Sequence, residues 1–154
     1  MDIEIESITL KLLDKLYDIE KQSFQREAFT RRQIAYLLTD YNSISLVARV
    51  NGEIVAFAIG RIDVARGTPY GHVLTLETLP SHCRKGVGEK LLGQLEALFA
   101  EKGAVESRLE VRENNVVAIA LYEKLGYRKV GKLEKYYGDA HGLYFKKNLA
   151  SHEH

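Results

Sequence analysis

HVLTLETLPSHCRKGVGEKLLGQLEALFAEKGAVESRLEV, residues 72–111, reads as a strand, a glycine-bearing turn, a helix and a second strand. Val87, Leu91, Leu92, Leu95, Leu98 and Phe99 recur with the 3.6-residue period of a buried helix face, and Gly103 supplies its stop. Strands 72–78 and 105–111 are thereby joined through a helix, which predicts a parallel pair with a right-handed crossover. That unit makes the chain α/β.

Residues 3–8 alternate apolar and polar side chains like a short strand, and from Thr9 the spacing of Leu12, Leu13, Leu16, Tyr17 and Ile19 turns helical. Thr30 and Gln33 form a T-x-x-Q capping box ahead of a second short helix carrying Ile34, Leu37 and Leu38. Asn51-Gly52 lies between the apolar runs 44–50 and 54–62 and predicts a tight hairpin turn. Gly67, Pro69 and Gly71 are read as a break before the strand at residue 72. Residues 115–125 form a further helix stopped by Gly126, and 127–130 and 143–145 read as the last strands. The expected fold is a single α/β domain over residues 1–150 with a mixed sheet and a tail at 151–154.

A chain of 154 residues suits one domain, and therefore one site. Its 22 basic and 21 acidic residues leave a formal charge of +1, so no broad field attracts nucleic acid. Cys83 is the single cysteine and cannot form an internal disulfide, which favours a reducing, cytoplasmic setting. The opening MDIEIESITLKLLDK alternates acidic and apolar residues rather than pairing a basic start with an apolar run, and no membrane partner is expected.

Arg84-Lys85-Gly86-Val87-Gly88 sits at a helix start, where freed backbone N–H groups and two basic side chains suit a pyrophosphate. Leu91 stands where a dinucleotide fingerprint needs its third glycine, and the G-x-x-x-x-G-K-[ST] signature is absent. On the second strand the alternation turns Leu109 and Val111 one way and Glu110 the other. One helix later comes Tyr122, and His72 opens the strand before the loop. Each has a plain structural account alone: a surface carboxylate, a core tyrosine, a strand histidine. Their common placement beside an anion site is what points to chemistry. His141, His152 and His154 have no cysteine or carboxylate spacing that completes a metal site, so no metal is expected.

Together, CRKGVG at residues 83–88 and LEVRENNVVAIALYEKLGY at residues 109–127 resemble the GNAT superfamily of acetyl-CoA-dependent N-acetyltransferases. Within it the chain is most similar to the RimI type, the ribosomal-protein-alanine N-acetyltransferases, together with archaeal N-terminal acetyltransferases. The resemblance implies a mixed, mostly antiparallel sheet of about seven strands flanked by about four helices, with a cofactor cleft between strands 4 and 5. It also implies that Leu76, Glu77 and Thr78 offer backbone groups to the pantetheine arm. Arg84, Lys85, Gly86, Val87, Gly88 and Glu89 would then wrap the pyrophosphate, with Asn115 touching the cofactor from its helix start. By the same resemblance Glu110 is the general base, Tyr122 the general acid, and His72 shares a water with the glutamate, while Tyr136 and Tyr137 hold the acceptor. Two departures stand out. Cys83 replaces the usual Gln or Arg, and residues 23–29 replace the Phe-Pro-Trp segment of RimI.

The nucleophile must be a neutral amine. An α-amino group of pKa near ~8 costs about 1.4 kcal/mol to deprotonate at pH 7, against about 4.6 kcal/mol for a lysine near ~10.4. The expected acceptor is therefore a protein or peptide N-terminus, with ribosomal proteins among the candidates. The alternatives are a GNAT enzyme acting on a small amine or a lysine side chain, and a non-catalytic acetyl-CoA-binding module. The last has no need of an acid–base pair.

Overall fold

The computed structural model describes residues 2–23 and 29–149. Along the chain run β1 (Ile3–Ser7), α1 (Leu13–Ser23), α2 (Arg31–Thr39), β2 (Ser43–Val50), β3 (Glu53–Ala65), β4 (Thr68–Thr78), α3 (Val87–Glu101), β5 (Glu106–Arg112), α4 (Val116–Lys124), β6 (Arg128–Leu133) and β7 (Gly142–Asn148). Among the described residues these strands form one seven-stranded sheet in the order β1-β2-β3-β4-β5-β7-β6. Every neighbouring pair is antiparallel except β4–β5, the pair joined through α3. The expected α/β architecture is therefore the observed one.

Two hairpins make the N-terminal half. Asn51 and Gly52 both adopt left-handed backbone, at φ of 54° and 80°, as a two-residue turn between right-twisted strands requires. Arg66 and Gly67 do the same between β3 and β4, at 52° and 79°. The expected break at Gly67, Pro69 and Gly71 is thus corrected: only Gly67 turns the chain, and Pro69 and Gly71 lie inside β4. Gly71 is there for packing. A Cβ at that position would fall 2.1 Å from the ring of Phe99, and one at Gly60 would fall 2.4 Å from it. The capping box at α2 forms as expected, Thr30 accepting from the Gln33 N–H and Gln33 from the Thr30 N–H.

Apolar layers cover both sheet faces. Leu91, Leu92, Leu95 and Phe99 of α3 pack with Val73, Leu109, Val111 and Phe145 on one side. Leu16 and Ile19 of α1 and Ile34 of α2 pack with Val47, Phe57 and Ile59 on the other. Behind the sheet, Tyr127 Oη donates to Glu96 Oε2 at 2.7 Å and lies 2.7 Å from Ser107 Oγ, while Lys147 Nζ donates to Glu96 Oε1 at 2.8 Å. This closed network ties α3 to β5 and β7.

A bulge in β4 sets up the site. Ile59 pairs with Thr75 but Gly60 pairs with Val73, leaving Leu74 as the extra residue. The facing of the strand changes there. Val73 and Leu76 both serve the α3 core, whereas Thr75 reaches Glu20 of α1.

Candidate active site

The β4–β5 register consists of Gly71↔Ser107 and His72↔Arg108 and stops there. Beyond it the strands diverge, and the β4 backbone that would have paired with β5 faces a cavity of about 530 Å³. Leu76, Glu77 and Thr78 line this cavity, together with Glu110, Asn115 and Tyr122. The cleft between strands 4 and 5 is therefore present, and its cause is a short ladder that ends just before the bulge.

At one end of the cavity the chain leaves β4 through a short turn at Pro80–His82 and enters α3 over Gly86. Arg84 and Gly86 both take left-handed backbone, at φ of 62° and 83°, and no side chain caps the helix. The first-turn amides of Val87, Gly88 and Glu89 are thus left to a ligand rather than to the protein. A Cβ at Gly86 would meet nothing within 4 Å, so ligand can approach the turn closely. The Glu89 side chain pairs with Lys124 of α4 at 3.1 Å, which leaves its backbone N–H as the group for an anion. Cys83 Sγ points back to the carbonyls of Thr78 and Leu79, at 3.7 and 3.6 Å. Asn115 caps α4 by accepting from the Ala118 N–H at 3.1 Å, so its side-chain amide nitrogen is the part that can meet a ligand. An anion-binding helix start beside the edge of β4 that has parted from β5 fits the pyrophosphate and amide arm of acetyl-CoA.

Glu110 occupies the face of β5 opposite Leu109 and Val111, as the alternation predicts. Its carboxylate meets His72 Nε2 directly, at 2.9 Å to Oε1 and 3.1 Å to Oε2. Tyr122 lines the cavity from α4, its ring edge-on to Tyr127 at 5.9 Å. Burial raises the Tyr122 phenol well above its ordinary value, with smaller contributions from Glu77 and Tyr137. It therefore holds its proton at neutral pH and has one to give. Tyr136 and Tyr137 lie in the β6–β7 connection with rings perpendicular at 4.9 Å, and both border the cavity. Burial and then the Glu110 charge raise the Tyr136 phenol too. The connection is fastened to the end of β5 by an Arg112–Asp139 ion pair at 2.7 Å and by Arg112 against the Tyr137 ring.

Two groups of residues were not legible as site residues. Glu20 borders the cavity from α1 although it is 1% exposed. Its Oε2 accepts from the Phe29 N–H at 2.9 Å and its Oε1 lies 3.3 Å from Thr75 Oγ1, which in turn lies 3.1 Å from Glu77 Oε2. Burial raises the Glu20 carboxyl above its usual range, against the opposing pull of those two hydrogen bonds. The signal was available, since Glu20 follows Leu13 and Leu16 on the apolar face of its helix. The second group is Asp63 of β3, which reaches His72, and Arg61, which holds Asp63. Reading Arg66-Gly67 as the turn would have brought them opposite β4. Residues 24–28 of the segment that departs from RimI, and the tail with His152 and His154, lie outside the described residues. His141 accepts from the Lys135 N–H through Nδ1 at 2.8 Å.

Residues 11–127 match the family model described as Acetyltransferase (GNAT) family. An N-alpha-acetyltransferase of Sulfurisphaera tokodaii is 34% identical over 116 residues, covering 70% of each chain. The ribosomal-protein-S18-alanine N-acetyltransferase from Escherichia coli superposes with a TM-score of 0.84 at 25% identity, over 97% of this chain and 95% of its own. Ard1 from Thermoplasma volcanium gives 0.86 at 26% identity, over 96% and 98%. By that match over residues 11–127 and the relative at 34% identity, this chain belongs to the acetyltransferase (GNAT) family.

Proposed function

We propose that this enzyme acetylates the α-amino group of protein or peptide N-termini, with Glu110 as general base and Tyr122 as general acid. The observation that carries the reading is Glu110, paired with His72, on the wall of a cavity that Phe29, Tyr136 and Tyr137 also border. A peptide N-terminus laid between those aromatic walls brings its amine to Glu110. Relatives named N-alpha-acetyltransferase support an α-amine as acceptor, and the smaller cost of deprotonating it points the same way. A ribosomal protein is one candidate, by analogy with the S18-alanine enzyme.

Bound acetyl-CoA supplies an activated acyl group as a thioester. The first-turn amides of α3, with Arg84 and Lys85, hold the pyrophosphate, and the backbone of Leu76, Glu77 and Thr78 takes the amide arm. Glu110 removes the amine proton as the nitrogen attacks, and an N–H of the β4 segment steadies the carbonyl oxygen as it gains charge. Tyr122 hands its phenolic proton to the departing sulfur. Proton exchange with bulk water restores both groups. We place the reaction in the cytoplasm, where a single free cysteine is unremarkable.

A second reading is kept open by one observation: Glu20 and Glu77 line the same cavity as Glu110, a carboxylate-rich wall that would suit a small polyamine. Against it, both Glu20 oxygens are already engaged by Phe29 and Thr75. Thiol release from acetyl-CoA, measured with N-terminal peptides, lysine peptides and polyamines, separates the readings. Turnover on N-terminal peptides above the other acceptors is expected, and turnover on polyamines alone overturns the proposal.

A further inference from the structure

His72 stands between two carboxylates on different strands. Its Nε2 meets Glu110 of β5 at 2.9 Å, and its Nδ1 lies 3.5 Å from Asp63 Oδ2 of β3. Asp63 is itself clamped. Arg61 donates from Nε to Oδ1 at 2.9 Å and from Nη2 to Oδ2 at 3.3 Å. The ring also lies near that of Tyr70, at 6.4 Å between centroids. Exposure rises outward along the row, from 18% for the Glu110 side chain and 20% for His72 to 26% for Asp63 and 31% for Arg61.

A carboxylate can only accept, so each ring nitrogen that faces one is stabilised by carrying a proton. With the Nδ1 proton held against Asp63, the nitrogen left to exchange a proton with Glu110 is Nε2. We propose that Asp63, oriented by Arg61, is a positioning residue that fixes the His72 ring as its Nδ1–H form, so that Nε2 relieves Glu110 of the substrate proton. This rests on the reading of Glu110 as the base. In the step, an amine N–H bond breaks and its electron pair stays on nitrogen, while the proton binds Glu110. It then passes to Nε2, which restores the carboxylate and makes an imidazolium. That cation sits between two anions until its Nε2 proton passes to water, which restores the Nδ1–H form. The 2.9 Å contact between Nε2 and Oε1 puts the two groups within reach for that transfer.

Asp63→Asn is the informative change because Arg61 decides its outcome. The two guanidinium donors claim the amide oxygen, which turns the amide NH₂ toward Nδ1 and forces the ring proton onto Nε2. The expected result is a kcat lower by about 10- to 100-fold, as for other carboxylates that orient a histidine. KM for acetyl-CoA and for an N-terminal peptide should stay unchanged, and Asp63→Glu should recover part of kcat. Nitrogen-15 spectra of the His72 ring should show a protonated Nδ1 in the wild type and its loss in Asp63→Asn. An unprotonated Nδ1 in the wild type overturns the proposal without any variant. So does unchanged kcat in Asp63→Asn, or a loss of kcat with the ring proton still on Nδ1. Glu110→Gln, measured in the same assay, separates the two claims. Full activity there removes the base itself, whereas an inactive Glu110→Gln beside a fully active Asp63→Asn removes only the role of Asp63.

Discussion

Two tyrosine–carboxylate arrangements lie back to back in this molecule, and they do opposite things. Tyr127 and Tyr122 touch edge to face at 5.9 Å, and the environment raises both phenols. Around Tyr127 every group is answered: Glu96 by the phenol and Lys147, the phenol by Ser107. Around Tyr122 the hydroxyl has no hydrogen-bond partner among the described residues, and the side chain borders the cavity. Glu110 is held from one side by His72 and borders the same cavity. A satisfied network rigidifies a fold. A donor and an acceptor left facing a cavity are available to a substrate. The lesson is that residue type and perturbed titration are common to both arrangements, and only the direction in which the groups face separates chemistry from structure.

The sharpest way to break this contrast is Glu110→Gln. Turnover on an N-terminal peptide should fall by about 10²- to 10⁴-fold, the usual worth of a general base, while titration with acetyl-CoA shows unchanged affinity. Wild-type turnover would end the assignment. Tyr122→Phe comes next, with a loss of about 10²-fold in kcat and no change in melting temperature, since no hydrogen bond to the protein is removed. Its neighbour should behave in reverse. Tyr127→Phe should cost about 1 to 3 kcal/mol in denaturant unfolding by opening the Glu96 and Ser107 network, with kcat retained under native conditions. If Tyr127→Phe lost turnover and Tyr122→Phe lost stability, the assignment of the two roles would be exchanged.

Much of this arrangement is readable in the sequence. The alternation of Leu109, Glu110 and Val111 put the carboxylate on its proper face, and Asn51-Gly52 and the Thr30–Gln33 box specified their turn and cap. Those features are local, set by a few neighbouring residues. What escaped the reading depends on distant partners. Gly71 looked like a break because its reason, the ring of Phe99, lies 28 positions further along, on α3. The bulge at Leu74 leaves no mark in composition, yet it is what turns Thr75 toward Glu20. Asp63 and Arg61 became neighbours of His72 only once the β3–β4 register was known.

Glu20 tests the same contrast at its smallest scale, since it is buried like Glu96 but borders the cavity like Glu110. Its carboxyl is raised above the ordinary 4.5, mainly by burial. The native state therefore keeps the Glu20 proton to higher pH than the unfolded chain does. Below about pH 4.5 both states hold the proton and the group's contribution is fully present. As pH rises from there through the raised native value, the unfolded chain releases its proton more readily, and stability is lost. Glu20→Gln cannot ionise and has no such loss. Wild-type stability should thus improve relative to Glu20→Gln as pH is lowered from 7 toward 5 in denaturant titrations. A constant difference between the two proteins over that range would mean that Glu20 is no more desolvated than a surface carboxylate, and that the cavity wall it helps to form is open to water.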